Sequence, residues 1–233
     1  MADKKVYIGI DPGFSGAISI IDGDKVTVHD IPTYETIASN KKKKRHYDLG
    51  KIIDIFTKFI GREVECGLEL VNVHPGEGSV SSFNFGKGIG QLEMGIVFAG
   101  FNLISITPQK WKKKYPNLIT PEITALKDEQ KEIRKKNKEL SIKEKETKET
   151  NKKSKDTEQK KENKKKIAAF KKEQKENKSN IEKIGRRIKS ISKDNARKEA
   201  SLLNAEISDL FAKKKHDGRA ESLLIAKYIK DNT

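Results

Sequence analysis

Cys66 is the chain's lone cysteine, so an internal disulfide is excluded and the thiol reads as inert core in a reducing compartment. No apolar run approaches the about 20 residues that a membrane-spanning helix requires. The opening Met-Ala-Asp-Lys-Lys leads directly into an apolar strand and is expected to carry no secretion signal. The expected location is therefore the cytoplasm, or a host's cytoplasm if the chain is viral, with no membrane partner. Apolar residues are scarce at 34%, fewer than the charged ones at 36%. Negative charge is also in short supply. Against 34 acids stand 50 Lys and Arg, giving a formal net charge of +16 over 233 residues. An excess this large calls for a polyanionic partner, most simply nucleic acid.

Residues 1–113 carry the patterning of a folded core. Segments 6–10, 16–21 and 25–31 read as three consecutive strands with tight turns. A basic loop over 41–45 follows, and then a helical spacing of apolar residues over 47–60. A fourth strand is expected at 64–70, a Gly-rich loop at 72–86, a buried helix at 89–101 and a fifth strand at 102–106. This order predicts an α/β protein, a mixed sheet flanked by helices. The core resumes over 196–233, with an amphipathic helix spanning 200–211 and a last helix over 217–229.

Residues 114–195 differ in kind. They are dominated by Lys, Glu, Asn and Gln and hold over half of all the basic residues. Such composition is compatible with a disordered linker. Yet Ile119, Ile123, Leu126, Ile133 and Leu140 lie on a heptad ladder, and Ile167, Phe170, Ile181, Ile184, Ile188 and Ile191 on a second. Folding one ladder back on the other pairs Ile123 with Ile188 and Leu126 with Ile184. The same register sets Gln130 opposite Ile181, Ile133 opposite Asn177 and Asn137 opposite Gln174. The expectation is an inserted antiparallel coiled-coil hairpin. Its arms would be about 25 residues each and roughly 35–40 Å long, with a polar tip over 143–166. Thr120-Pro-Glu supplies an N-cap and a proline at the first helical position.

Acids stand at distinctive places in this pattern. Asp11 closes the first strand in Gly9-Ile-Asp11-Pro-Gly and opens onto a glycine-rich turn, where a metal ion or a phosphate can approach. Glu69 ends an apolar strand in Gly67-Leu-Glu-Leu, where an acid is costly unless paired or metal-bound. Asp217 and Glu221, four apart in His216-Asp-Gly-Arg-Ala-Glu, project from one face of the last helix. Each has an ordinary structural use: Asp11 as turn chemistry, Asp217 as an N-cap, Glu221 as a partner of Arg219 or a lysine. Together, four carboxylates suit Mg²⁺, with Mn²⁺ as a substitute. Two such ions about 3.5–4 Å apart can activate a water, neutralise a phosphodiester and stabilise its leaving oxygen.

Those three acidic blocks resemble the RuvC-like Holliday-junction resolvases, within the wider RNase H-like nuclease superfamily, and most closely the phage and bacterial members. The likeness extends through Gly90-Gln91, Thr107-Pro-Gln-Lys-Trp-Lys112 and Lys198-Glu-Ala-Ser-Leu, and so spans nearly everything except the insertion. It implies an RNase H-like fold and a homodimer that binds four-way DNA junctions and nicks two strands symmetrically with two Mg²⁺ per site. By position it makes Asp11, Glu69 and Glu221 metal ligands. Several relatives carry an Asp or His where this chain has Gly218; Asp217 is the first choice for that role and His216 the second, as ligand or as general acid/base. The resemblance also sets Lys198 near the DNA backbone, with an ordinary surface lysine as the alternative. Phe83 or Phe85 is a candidate to stack at the junction, the other being core.

Basic groups outside the acids would neutralise phosphates with little sequence readout: Lys41, Lys42, Lys43, Lys44, Arg45, Lys87, Lys110 and Lys112. The insertion can grip junction arms, bind a further partner or only add solubility. An actin-like ATPase shares the opening glycine turn but needs a second phosphate loop and an adenosine motif, which the chain lacks. Remaining alternatives are another RNase H-like nuclease, cutting RNA–DNA hybrids or other branched DNA, and a non-catalytic DNA-binding protein on the same fold.

Overall fold

The computed structural model describes residues 5–37, 41, 43–71 and 78–233. Its contacts divide the chain into two units, 1–118 with 193–233, and 119–192. In the first unit, strands β1 (Val6–Asp11), β2 (Ala17–Asp22), β3 (Lys25–Asp30), β6 (Val64–Glu69) and β7 (Asn102–Ile106) form one mixed sheet. Its order is β3-β2-β1-β6-β7, with β1 antiparallel to β2 and parallel to β6, which is parallel to β7. Helices flank this sheet, an arrangement compatible with an RNase H-like fold. No described helix is long and apolar enough to cross a membrane.

Strand alternation sorts the core into two layers. Val6, Ile8 and Ile10 of β1 pack in one cluster with Ile52 and Phe56 of α1 (Leu49–Thr57) and Leu92 and Ile96 of α2 (Ser79–Phe98). The opposite face takes α3 (Pro108–Lys112), Tyr115 and α6 (Asp217–Lys230). Glycines permit α6 to lie directly on that face. A Cβ at Gly9 would stand 2.2 Å from the Ser222 carbonyl oxygen, and one at Gly67 would stand 2.6 Å from Ile229. Ser19 and Ser222 share a buried 2.7 Å hydrogen bond that ties β2 to the same helix.

Several sequence expectations are corrected. The basic loop at 41–45 is largely a strand: β4 (Thr33–Ile37) pairs antiparallel with β5 (Lys43–Tyr47) in a separate two-stranded sheet. Helix α2 begins at Ser79, inside the expected Gly-rich loop, and ends at Phe98. Packing overrides its glycines, since Gly88 admits the Tyr47 ring so closely that a Cβ would meet it at 2.7 Å. The amphipathic helix expected over 200–211 is broken. Helix α5 (Thr157–Leu203) ends there, and a 3₁₀ segment, Ala205–Phe211, bends at Ile207.

The second unit holds α4 (Pro121–Lys153) and most of α5. The Thr120 hydroxyl accepts a bond from the Ile123 N–H at the start of α4. Between the helices, Arg187 pairs with Glu122 at 2.8 Å and Gln130 donates to the Ile181 carbonyl at 2.9 Å. Asn177 donates to the Asn137 side-chain oxygen at 3.0 Å, and Gln174 donates to a Glu144 carboxylate oxygen at 3.2 Å. The amides that interrupt the apolar ladders thus find polar partners. The expected polar tip is helical almost throughout, leaving only 154–156 between helices of 33 and 47 residues. Lys, Glu and Gln favour helix, and the Glu144–Lys148 and Glu162–Lys166 pairs reinforce it.

Candidate active site

Asp11 and Glu69 close two parallel strands that are hydrogen-bonded neighbours in register through Ile10 and Leu68. Gly9 and Asp11 share a face of β1, as Gly67 and Glu69 share a face of β6. Each acid therefore emerges two residues beyond a glycine on which α6 rests. The first turns of α6 bring Asp217 and Glu221 to this end of the sheet. Gly218 fixes how close they come: its Cα faces the β1–β2 turn, where a Cβ would meet the Ser15 carbonyl oxygen at 2.4 Å and an Asp11 carboxylate oxygen at 3.0 Å. A side chain at 218 would therefore force the turn or the helix to shift.

The other three carboxylates act on Asp11, and Glu221 acts on Glu69 as well. Burial, then the charges of Glu221 and Glu69, push the Asp11 carboxyl well above its usual range, with Asp217 adding to the effect and Lys112 opposing it. Burial and Glu221 raise Glu69 likewise, against a hydrogen bond from Trp111 and the charge of Lys112. Trp111 Nε1 donates to Glu69 Oε1 at 2.9 Å, and Lys112 Nζ donates to Glu221 Oε1 at 2.9 Å. Burial disfavours the Lys112 ammonium, yet Glu221, Glu69 and Asp11 hold its pKa above the ordinary lysine value. Lys193, near the end of α5, forms an ion pair with Asp217.

The donor chemistry, four oxygen-bearing acids of which burial and neighbouring charge hold Asp11 and Glu69 above the usual carboxylate range, fits a hard divalent cation. The side-chain positions are another matter. Among the described residues, no three His, Cys, Asp or Glu side chains are grouped to hold a metal ion as they stand. Two of the four acids are drawn instead toward lysine ammonium groups.

Other expected residues fall elsewhere. His216 is buried in a short 3₁₀ turn, Lys214–His216, where Nδ1 accepts from the Lys213 N–H. Burial lowers its pKa, and the charges acting on it are those of Arg219, Lys215, Asp30 and Lys213. Arg219 pairs with Asp30, not Glu221, and the N-cap of α6 is His216, not Asp217. Lys41, Lys43, Lys44, Arg45, Lys87 and Lys110 are exposed, and Lys42 lies outside the described residues. Lys43 is paired with Glu35 at 2.9 Å. Lys198 is exposed on α5, in a groove with Arg197, Ser201 and Phe211. Phe83 is exposed on α2 and Phe85 half-buried. The sequence reading passed over Trp111 and Lys193. The first is the only tryptophan and stands inside a motif already singled out; the second had no signal beyond a lysine among many.

No family model matches the chain, and no curated protein does. Among solved structures, T. thermophilus RuvC in complex with a Holliday junction substrate matches at 13% identity and a TM-score of 0.31. The match covers 47% of this chain and 69% of that one. A likeness at that level carries no argument for fold or activity.

Proposed function

We propose that this protein is a metal-dependent, structure-selective endonuclease on the RNase H-like fold, which resolves four-way DNA junctions by paired symmetric nicks. One observation supports the reading: the charges of Glu69, Asp217 and Glu221, on β6 and α6, all act on the buried Asp11 at the end of β1. A protein keeps such a cluster when a cation is to share it. Asp11, Glu69, Glu221 and Asp217 would hold Mg²⁺, or Mn²⁺ in its place, two ions per site. When bound, these ions supply an activated water and neutralise the scissile phosphate. Trp111 orients Glu69, while Lys112 and Lys193 hold Glu221 and Asp217 until a cation or a phosphate takes the ammonium groups away. The +16 net charge supports a polyanionic substrate.

A symmetric substrate favours a homodimer. Val80, Phe83, Met94, Val97 and Phe98 leave α2 with exposed apolar side chains that a second copy would cover. The insertion over 114–195 is read as an antiparallel coiled-coil hairpin that grips junction arms or a further partner, and the protein as cytoplasmic. The lysine pairing of two acids favours a second reading, a DNA-binding protein on this fold that does not cut.

The test incubates the protein with a synthetic four-way junction, a duplex and an RNA–DNA hybrid, each with Mg²⁺ or EDTA. Symmetric nicking of the junction alone, abolished by EDTA and lost in Asp11→Asn while binding persists, is the expected result. Preferential hybrid cutting would reassign the activity to a ribonuclease H. Binding without cutting under any metal would establish the second reading.

A further inference from the structure

A cavity of about 350 Å³ opens between the β1–β2 turn, the β4–β5 hairpin and the first half of α2. It lies within the roughly 300–1,000 Å³ range of small-molecule sites. Its walls are aromatic. Phe14 packs edge-on to Tyr47 with ring centroids 5.3 Å apart, and Tyr34 stacks on His46 at the same separation. Phe14 and Tyr34 still expose 40% and 50% of their surface, so each offers a ring face. From α2, Asn84 and Gln91, which carry side-chain amides, line the same space. Arg45 and Lys87 add positive charge beside them, and Arg45 also donates to the Phe14 carbonyl at 3.5 Å. The acid in the lining, Asp48, is neutralised by Lys51 at 3.0 Å.

This cavity adjoins the carboxylate cluster through Tyr47. Phe14 of the same lining stands three residues past Asp11 in the β1–β2 turn, and the Asp11 charge acts on the Tyr47 hydroxyl. Ring faces for stacking, amides for a base edge and cations for flanking phosphates are the chemistry of nucleotide capture. A base inside a duplex cannot enter such a space; one turned out of the stack can. We propose that the cavity receives one unstacked DNA base, from a nucleotide next to the phosphate that the carboxylates address, and that Asn84 and Gln91 read its edge. The proposal rests on the nuclease reading and deepens it, because it gives the site a means of preferring one sequence at the cut.

The test replaces successive thymidines near the crossover of a synthetic four-way junction with 5-iododeoxyuridine. The full chain is irradiated on each junction in EDTA, and cross-linked peptides are identified by mass spectrometry. One position should cross-link to the peptide carrying Phe14 or the one carrying Tyr34. Tyr34→Ala should lower that yield per bound complex by about tenfold. Asn84→Ala with Gln91→Ala should flatten the preference of cutting for particular bases at that position in Mg²⁺. Cross-links spread over many positions, or confined to other peptides such as that of Phe83, would overturn the proposal while junction cutting left the nuclease reading standing. A chain that forms no complex with any DNA would overturn both.

Discussion

Burial and three neighbouring carboxylates oppose the charge of Asp11, with Lys112 as the compensating cation. Its carboxyl is therefore harder to ionise in the folded chain than in the unfolded one, whose ordinary value is 3.8. Between that value and the raised one, the folded state holds the extra proton, so stability falls as pH rises through the window. In EDTA, Asp11→Asn is expected to be more stable than the parent at pH 7. The difference should vanish below pH 3.8, where both states of the parent are protonated; paired urea titrations across pH measure it. Trp111→Phe removes a buried donor to Glu69 Oε1, and buried bonds to charged groups are worth about 1.5–3 kcal/mol. It should weaken the fold by that order and, on the proposed reading, lower nicking more than junction binding.

At the scale of elements, the site depends on α6 lying against bare backbone. Gly9→Ala sets a methyl 2.2 Å from the Ser222 carbonyl oxygen and 2.3 Å from the Ala226 nitrogen, neither of which can move without shifting the helix. A loss of about 3 kcal/mol in urea unfolding is expected. Gly90→Ala is the contrast: its Cβ meets nothing within 4 Å on α2, and helix propensity alone predicts a gain of up to about 1 kcal/mol. The same logic says what was legible beforehand. Strands β1, β2, β3, β6 and β7 announce themselves because apolar runs bounded by turn residues admit few alternatives. Acids at strand ends stand out for the same reason. Strand β5 did not, since Lys-Lys-Arg-His-Tyr has no apolar alternation and is held by pairing with β4. Nor did the start of α2, whose glycines argue against a helix that Tyr47 nevertheless packs upon. The lysine partners Lys112 and Lys193 depend on long-range placement that local pattern does not encode.

Over the whole molecule, positive charge is the dominant resource, and binding to DNA should be governed by counterion release. Each phosphate neutralised contributes about 0.9 to the slope of log affinity against log salt. Arg45→Ala and Lys87→Ala are each expected to lower the measured slope by about 1 in junction titrations over a salt series. The account's central claim, though, concerns the acids: four carboxylates kept in mutual repulsion for a divalent cation to relieve. Thermal unfolding with rising Mn²⁺ or Mg²⁺ reads this without any substrate, because a ligand held by the folded state alone raises Tm with its concentration. The account predicts a Tm that climbs with metal for the parent chain and stays flat for Asp11→Asn and Glu221→Gln. An unmoved Tm in the parent, or an equal rise in all three proteins, would contradict it.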